Sequence, residues 1–179
     1  MKKFGWLLIG YALLTIVFGT MYTLLQQSNR QVANDAPTIV AEQVRDQLNI
    51  GKQPADLAVA TVDIAKSSAP FSIIYDKKGL PVAGTGRLHN ALPKIPIGVL
   101  QNATPEKSNT VTWEPESKVR IASVAVVADD YYVLGGQSLS FVEARTTTLL
   151  VLTFLGWLAS ILLLTGGQIL FGLKSKKAV

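Results

Sequence analysis

Histidine and cysteine are the side chains that most often supply catalysis or metal binding, and this chain has almost none of them. It contains no cysteine and a single histidine, His89. This excludes thiol nucleophiles and cysteine metal sites, and it argues against any site built on two histidines. His89 itself follows Leu88 at the start of a loop, where an ordinary surface histidine is the alternative to a ligand contact.

Two acidic pairs and one glycine-rich stretch are the other candidates for chemistry. Glu114 with Glu116, and Asp129 with Asp130, fall in predicted turns, and no spacing makes them converge in a cleft as a glycosidase requires. The stretch from Gly84 to Arg87 has too few glycines, and no following helix, for phosphate binding. We therefore predict no enzyme activity, no catalytic residue, no metal site and no cofactor.

Apolar residues are concentrated in two segments that contain no charged residue. These are the N-terminal apolar segment, Phe4 to Leu25, and the C-terminal apolar segment, Thr146 to Leu173. A helix of about 20 apolar residues crosses a bilayer core, so each is predicted to be a transmembrane helix (residues 4–25 and 146–173). A cleaved signal peptide is the alternative for the first, but its length and the absence of a small-x-small site argue against cleavage.

The charge distribution predicts how the chain is oriented. The formal net charge of +5 comes from Lys2, Lys3, Lys174, Lys176 and Lys177, since twelve basic and twelve acidic residues balance between the apolar segments. The positive-inside rule then places the tails (residues 1–3 and 174–179) in the cytoplasm and the central part outside the cell membrane. The basic composition thus indicates a membrane, not a nucleic acid, as the partner.

The central part predicts an α+β domain over residues 37–143, after a linker or helical extension over residues 26–36. One helix is predicted from Pro37, capped by Asp35, to Gly51, and a second from Pro54 to a point before Pro70. Five strands joined by short turns predict an antiparallel sheet: Phe71–Tyr75, Val82–Arg87, Thr110–Glu114, Val119–Val127 and Tyr131–Leu134.

Two further features complete this pattern. Three prolines within residues 93–105 predict a loop with a short helix, lying over one face of the sheet. Ser140 and Glu143 form a capping-box pattern, which predicts that the last helix begins there and continues into the C-terminal apolar segment.

This order of elements resembles the extracytoplasmic PAS-like sensor domains of the Cache group, over Pro37 to Glu143. The stretches TWEP, VRIASV, YYVLGGQSL and VEAR, at residues 112–115, 119–124, 131–139 and 142–145, are similar to those of uncharacterised two-span bacterial membrane proteins. The resemblance implies a five-stranded PAS-like sheet flanked by transmembrane helices. In Cache receptors the second span leads to a kinase, methyl-accepting or cyclase module, whereas Lys174 to Val179 follow it here.

The resemblance also implies a small-molecule pocket between the sheet and its covering loop. Ligand-binding candidates on or beside the strands are Trp113, Arg120, Tyr75, Tyr131 and Arg87. Arginine beside aromatic rings can hold a carboxylate through two parallel hydrogen bonds. The alternatives are that Trp113 packs in the core and that Arg120 pairs with Glu114 or Glu116.

Small residues recur at intervals of four in both apolar segments. Thr15, Gly19 and Thr23 lie in the first, and Gly156 and Ser160 in the second. This spacing lets helices approach closely, within one chain or between chains, although chance recurrence is the alternative.

Together these features favour a membrane-anchored sensing or binding module that lacks an output domain and acts through a membrane protein partner or a homo-oligomer. The alternative is a structural or assembly protein of the cell envelope that binds another protein or an envelope component.

Overall fold

The computed structural model describes residues 2–177. Met1, Ala178 and Val179 lie outside the described residues, and so do the side chains of the terminal lysines that predict the orientation. The chain divides into two compact units. One is Arg30–Glu143, which we call the outer domain after the orientation that the sequence predicts, and the other combines the N-terminal and C-terminal remainders. The helices and strands are α1 (Lys2–Asn49), β1 (Val62–Asp63), β2 (Phe71–Asp76), β3 (Pro81–Gly84), β4 (Gly86–Arg87), α2 (Ile97–Gln101), β5 (Asn109–Glu116), β6 (Val119–Val127), β7 (Tyr131–Ser138) and α3 (Ser140–Lys177).

Two of these helices are long and apolar enough to cross a membrane. They are the Gly5–Asn49 part of α1 and the Val142–Leu170 part of α3. The start of α3 at Ser140 confirms the predicted helix start, and the helix continues through Gly166 and Gly167.

The five-stranded antiparallel sheet predicted from the sequence is confirmed. Its strand order is β3-β2-β7-β6-β5, so the first and last of these strands in the chain, β2 and β7, are neighbours. Strand β6 pairs with β7 from Ile121↔Ser138 to Val127↔Tyr132, and with β5 from Asn109↔Ala125 to Glu116↔Val119. Two short strands, β1 and β4, form a separate parallel pair.

Both faces of this sheet are buried. One face carries the cluster of Phe71, Ile73, Tyr75, Trp113, Ile121 and Leu134, which packs against Leu100 of α2 and the surrounding loop. The other face carries Ile74, Val124, Val126 and Val133, which pack against Ala41 and Leu48 of α1. Alternate residues of each strand thus supply different layers, as the period of two requires. The predicted covering loop with its short helix is confirmed.

Two adjacent glycines of β7 serve opposite faces of the sheet. A Cβ at Gly135 would lie 2.0 Å from the carbonyl oxygen of Pro37, so α1 approaches the sheet backbone directly there. A Cβ at Gly136 would lie 2.4 Å from the Phe71 ring, and one at Gly86 would lie 2.3 Å from it. Only glycine permits these approaches, and the ring of Phe71 fills the space that the side chains of Gly86 and Gly136 leave open.

The predictions for the helical part of the outer domain are wrong in two places. Pro37 does not open a helix, because α1 continues through it. Residues 26–36 belong to the same helix, so of the two alternatives for this segment the helical extension is confirmed. The predicted second helix is a short 3₁₀ turn, Pro54–Leu57, followed by β1. The reason is that Val62 and Asp63 pair with Gly86 and Arg87, which favours an extended backbone over a second amphipathic helix.

Candidate functional site

Two of the predicted ligand-binding residues lie together, and both belong to the core. Tyr75 is fully buried and Trp113 is 9% exposed, in the same cluster on the loop-covered face. The Tyr75 hydroxyl donates a hydrogen bond to the carbonyl oxygen of Pro93 at 3.0 Å, which ties the covering loop to the sheet. Burial raises the pKa of this hydroxyl above its ordinary value, so the hydroxyl stays protonated and remains a donor.

The other three candidates lie at separate places. Tyr131 packs against the cluster under α1, on the opposite face of the sheet. Arg87 is half-buried in β4, where it is the register partner of Asp63. The Arg120 guanidinium pairs with the Glu143 carboxylate at the start of α3, not with Glu114 or Glu116. The structure therefore does not gather the five predicted residues around one opening.

A different concavity does open on the outer domain, at the C-terminal end of α1. We call it the α1-terminal cleft. It has a volume of about 670 Å³ and lies between the last turns of α1, the β2–β3 turn, the β6–β7 turn and the chain at Pro105. Its charged and polar lining consists of Arg45, Asp46, Asn49, Lys77 and Asp129.

Lys77 is held in place at the wall of this cleft. Its ammonium donates to the carbonyl oxygen of Ala128 at 3.0 Å and reaches that of Tyr131 at 3.5 Å. It also lies 4.7 Å from the centre of the Tyr132 ring, a cation–π distance. The turn that carries Lys77 is fixed by Asp76, whose carboxylate accepts from the backbone nitrogens of residues 78 and 80.

The remaining charges of the cleft come from α1 and from the β6–β7 turn. On α1, the Arg45 guanidinium pairs with the neighbouring Asp46 carboxylate at 2.9 Å. The Asn49 side-chain oxygen accepts the backbone N–H of Asp129 at 3.3 Å, which joins the end of α1 to the β6–β7 turn. These contacts fix the positions of both walls.

A second arrangement connects the sheet to helix α3. The backbone N–H of Leu139 donates to the carbonyl oxygen of Arg120 at 2.8 Å, so strand β6 holds the residue directly before the helix. The Arg120 guanidinium also binds the Glu143 carboxylate in the first helical turn. Arg120, in the interior strand β6, thus contacts the start of α3 through both its main chain and its side chain.

The two apolar helices contact one another through polar and small residues. The hydroxyls of Tyr11 and Thr165 lie 2.7 Å apart, and the indole nitrogen of Trp157 donates to the Thr15 hydroxyl at 3.1 Å. A Cβ at Gly156 would meet the Phe18 ring at 3.1 Å. Thr15 and Gly156, two of the five predicted packing residues, therefore lie at this contact.

The other three predicted packing residues lie elsewhere on the helices. Gly19 and Thr23 are exposed; a Cβ at Gly19 would have no neighbour within 4 Å, and the Thr23 hydroxyl bonds to the carbonyl of Gly19. The half-buried Ser160 hydroxyl likewise donates to its own helix, at Gly156.

His89 makes a hydrogen bond at the surface. Its Nε2 lies 2.7 Å from the Glu116 carboxylate; the His89 side chain is largely exposed and that of Glu116 is partly buried. Among the residues that the structure describes, no group of three or more histidine, aspartate and glutamate side chains is arranged to hold a metal ion.

Comparison with known proteins gives no match: no family model, no curated protein and no solved structure aligns significantly with this chain.

Sequence reasoning missed the α1-terminal cleft because its residues come from four places in the chain. The turn signals at residues 76–79 and 128–130 were recognised, but only the sheet pairing brings Lys77 and Asp129 to one end of the sheet. The long helix α1, which supplies Arg45 and Asn49, was predicted with a different start.

Proposed function

We propose that this protein is a membrane-anchored, extracytoplasmic binding module of the PAS-like kind, which passes changes in its outer domain along α3 to a membrane protein partner or a second copy of itself. An antiparallel five-stranded sheet between two membrane-length helices supports this proposal. The outward orientation of the domain follows from the charge pattern of the tails.

The observation that carries the proposal is that Arg120 contacts the start of α3 twice, through its carbonyl oxygen and through its guanidinium group. Strand β6 lies between β5 and β7, so a shift of the sheet is applied at Leu139 and Glu143 together. Helix α3 continues from this point to Lys177 without interruption. A rigid helix transmits a small rotation or translation along its length, which is an established way to couple two sites.

A structural or assembly role in the envelope is the competing function. It requires a stable outer domain and a membrane anchor, but it does not require any coupling between Arg120 and the membrane helices. Coupling is therefore the property that separates the two proposals.

The absence of native cysteine provides the test. Gly10→Cys with Leu164→Cys places two thiols at a contact of the apolar helices, because a Cβ at Gly10 would lie 3.3 Å from the Leu164 side chain. The rate of disulfide formation in reconstituted full-length chain then reports on this contact. We expect Arg120→Ala to change this rate about threefold or more; a threefold change corresponds to about 0.7 kcal/mol in the free energy of reaching the cross-linking geometry.

Two matched variants complete the design. Arg87→Ala removes another arginine of the outer domain that lies away from α3, and the rate should stay at the wild-type value. The charge exchange Arg120→Glu with Glu143→Arg restores an ion pair and should restore the rate. Equal rates of disulfide formation with and without Arg120→Ala would show that the Arg120 contacts do not influence the contact between the apolar helices. That result would favour the structural role.

A further inference from the structure

We propose that the α1-terminal cleft binds a small zwitterion, a molecule with one cationic and one anionic group a few bonds apart. The volume of about 670 Å³ lies within the range of small-molecule sites, which is roughly 300–1,000 Å³. The cleft is also lined mainly by polar atoms, so its recognition is electrostatic more than hydrophobic.

The lining has charges of both signs and a formal sum of zero. Arg45 and Lys77 are cationic, and Asp46 and Asp129 are anionic. A simple anion would face two carboxylates in this space, and a simple cation would face two basic groups. Only a ligand with both charges can place each of them beside a group of opposite sign, which is the electrostatic complementarity that gives specificity.

Lys77 and Asp129 are the two charges that a ligand would complete. No cation of the described chain lies within ion-pair distance of the Asp129 carboxylate, and no carboxylate lies within that distance of the Lys77 ammonium. Carbonyl oxygens and the Tyr132 ring hold Lys77, while Asn49 holds the backbone of Asp129. The Lys77 ammonium and the backbone that carries Asp129 are therefore positioned before a ligand arrives, which lowers the entropic cost of binding.

Arg45 and Asp46 have a different part in the cleft. They already satisfy one another, with the Arg45 Nε and Nη2 atoms 3.0 and 2.9 Å from the same Asp46 oxygen. We assign this ion pair to the rim of the cleft, where it does not need a ligand to balance its charges. The anionic group of the ligand is thus placed at Lys77 and its cationic group at Asp129.

Titration calorimetry on the full-length chain in detergent micelles tests this assignment. The probes are the twenty standard L-amino acids, taken one at a time, and glycerophosphoethanolamine, whose phosphodiester and amine reproduce a zwitterionic lipid headgroup. For a probe that binds, we expect its deaminated acid and its decarboxylated amine to bind at least about tenfold more weakly, since each lacks one charge contact.

The chain offers a matched control beside each proposed contact. Lys77→Gln and Asp129→Asn should each weaken binding about tenfold or more, whereas Lys78→Gln and Asp130→Asn, in the same turns but outside the cleft lining, should leave the affinity within about twofold. Having two independent variants keeps the test valid if one of them fails to fold.

Each result decides the proposal. Binding of an amino acid that depends on Lys77 and Asp129 supports a soluble ligand, and binding of glycerophosphoethanolamine alone supports a headgroup. The absence of binding by every probe, equal binding of the single-charge analogues, or affinity that is unchanged in both cleft variants overturns it. The inference supplies a ligand class for the proposed binding module, but the titration does not depend on helix coupling, so it can fail while the cross-linking result stands, and the reverse.

Discussion

Tyr75 has the largest fully buried side chain of the described residues, and its hydroxyl group determines its structural role. The ring packs among apolar neighbours, while the hydroxyl donates to the Pro93 carbonyl and so fastens the covering loop to strand β2. A buried hydrogen bond of this kind contributes about 1 kcal/mol, and a carbonyl left without its donor costs about 1–3 kcal/mol. A residue predicted as a ligand contact is thus a structural tie between loop and sheet.

Replacing Tyr75 by phenylalanine should therefore have an effect that depends on pH. Below about pH 10 we expect the free energy of unfolding to fall by about 1–2 kcal/mol, because the Pro93 carbonyl loses its donor. Burial raises the pKa of the Tyr75 hydroxyl, so the folded chain keeps the proton to higher pH than the unfolded chain. The stabilisation is complete below pH 10 and is lost as the pH rises above it, so the difference between the two proteins should narrow. Chemical denaturation of both proteins at pH 8 and pH 11 measures this difference in the free energy of unfolding. The same difference at both pH values would contradict the prediction.

The candidate site residues show which kinds of contact a sequence pattern can indicate. The candidate aromatic and basic residues lie on or beside the sheet, as predicted. The alternation of side chains along a strand does not show which face of the sheet each one occupies when both faces are buried. The sequence therefore could not show that Tyr75 and Tyr131 lie on opposite faces. Likewise Arg120 pairs with a residue 23 positions away, and no short-range pattern indicates such a partner.

At the scale of the elements, the packing of α1 on the sheet explains why a proline is tolerated inside a helix. Pro37 has no N–H to donate, which ordinarily breaks or kinks a helix. Here Pro37 is fully buried, and its carbonyl oxygen lies against Gly135 of β7. The neighbouring Thr38 hydroxyl donates to the Asn34 carbonyl at 2.7 Å, which adds a hydrogen bond within the same turn but does not replace the one that Pro37 cannot make. Close packing against β7 offsets the lost hydrogen bond.

This packing makes Gly135 the most sensitive position of the helix–sheet contact. Gly135→Ala would place a methyl group 2.0 Å from a backbone oxygen, so α1 must move away from the sheet. Overpacking of this kind costs about 1–3 kcal/mol, and we expect a loss of that size in the free energy of unfolding. Gly98→Ala in α2, where a Cβ would meet nothing within 4 Å, is the control and should be neutral or slightly stabilising. Equal stabilities of the two variants would show that α1 does not approach the strand as described.

The same contact shows why the element boundaries were predicted unevenly. Strand β6, apolar on both faces, was predicted with its observed bounds, Val119–Val127. Strand β7 extends to Ser138, beyond the predicted end at Leu134. The prediction stops early because paired glycines usually interrupt a strand. In this strand the two glycines instead make room for Pro37 and for the Phe71 ring. The start of α1 was misplaced for the complementary reason, since tertiary packing overrides the local preference of Pro37. The two errors concern the two residues of one contact, Pro37 of α1 and Gly135 of β7.

At the scale of the whole molecule, the charge pattern and the elements support the same proposed topology. The two helices of membrane length are the first and last elements of the chain, so the outer domain is connected to the proposed membrane at both ends. This is the arrangement that a helix-coupled binding module requires, and it is only useful if the domain and the lysine-rich tail lie on opposite sides.

Cysteine labelling tests that condition directly, because the chain has no thiol of its own. Lys107→Cys places one thiol on an exposed loop of the outer domain, and Lys176→Cys places one in the C-terminal tail. Since basic tails are retained on the cytoplasmic side, we expect a membrane-impermeant maleimide to label position 107 in intact spheroplasts and position 176 only after permeabilisation. Labelling of both in permeabilised cells is the control for thiol reactivity. The reverse pattern would place the outer domain in the cytoplasm, where neither the ligand source nor the direction of coupling proposed above would apply.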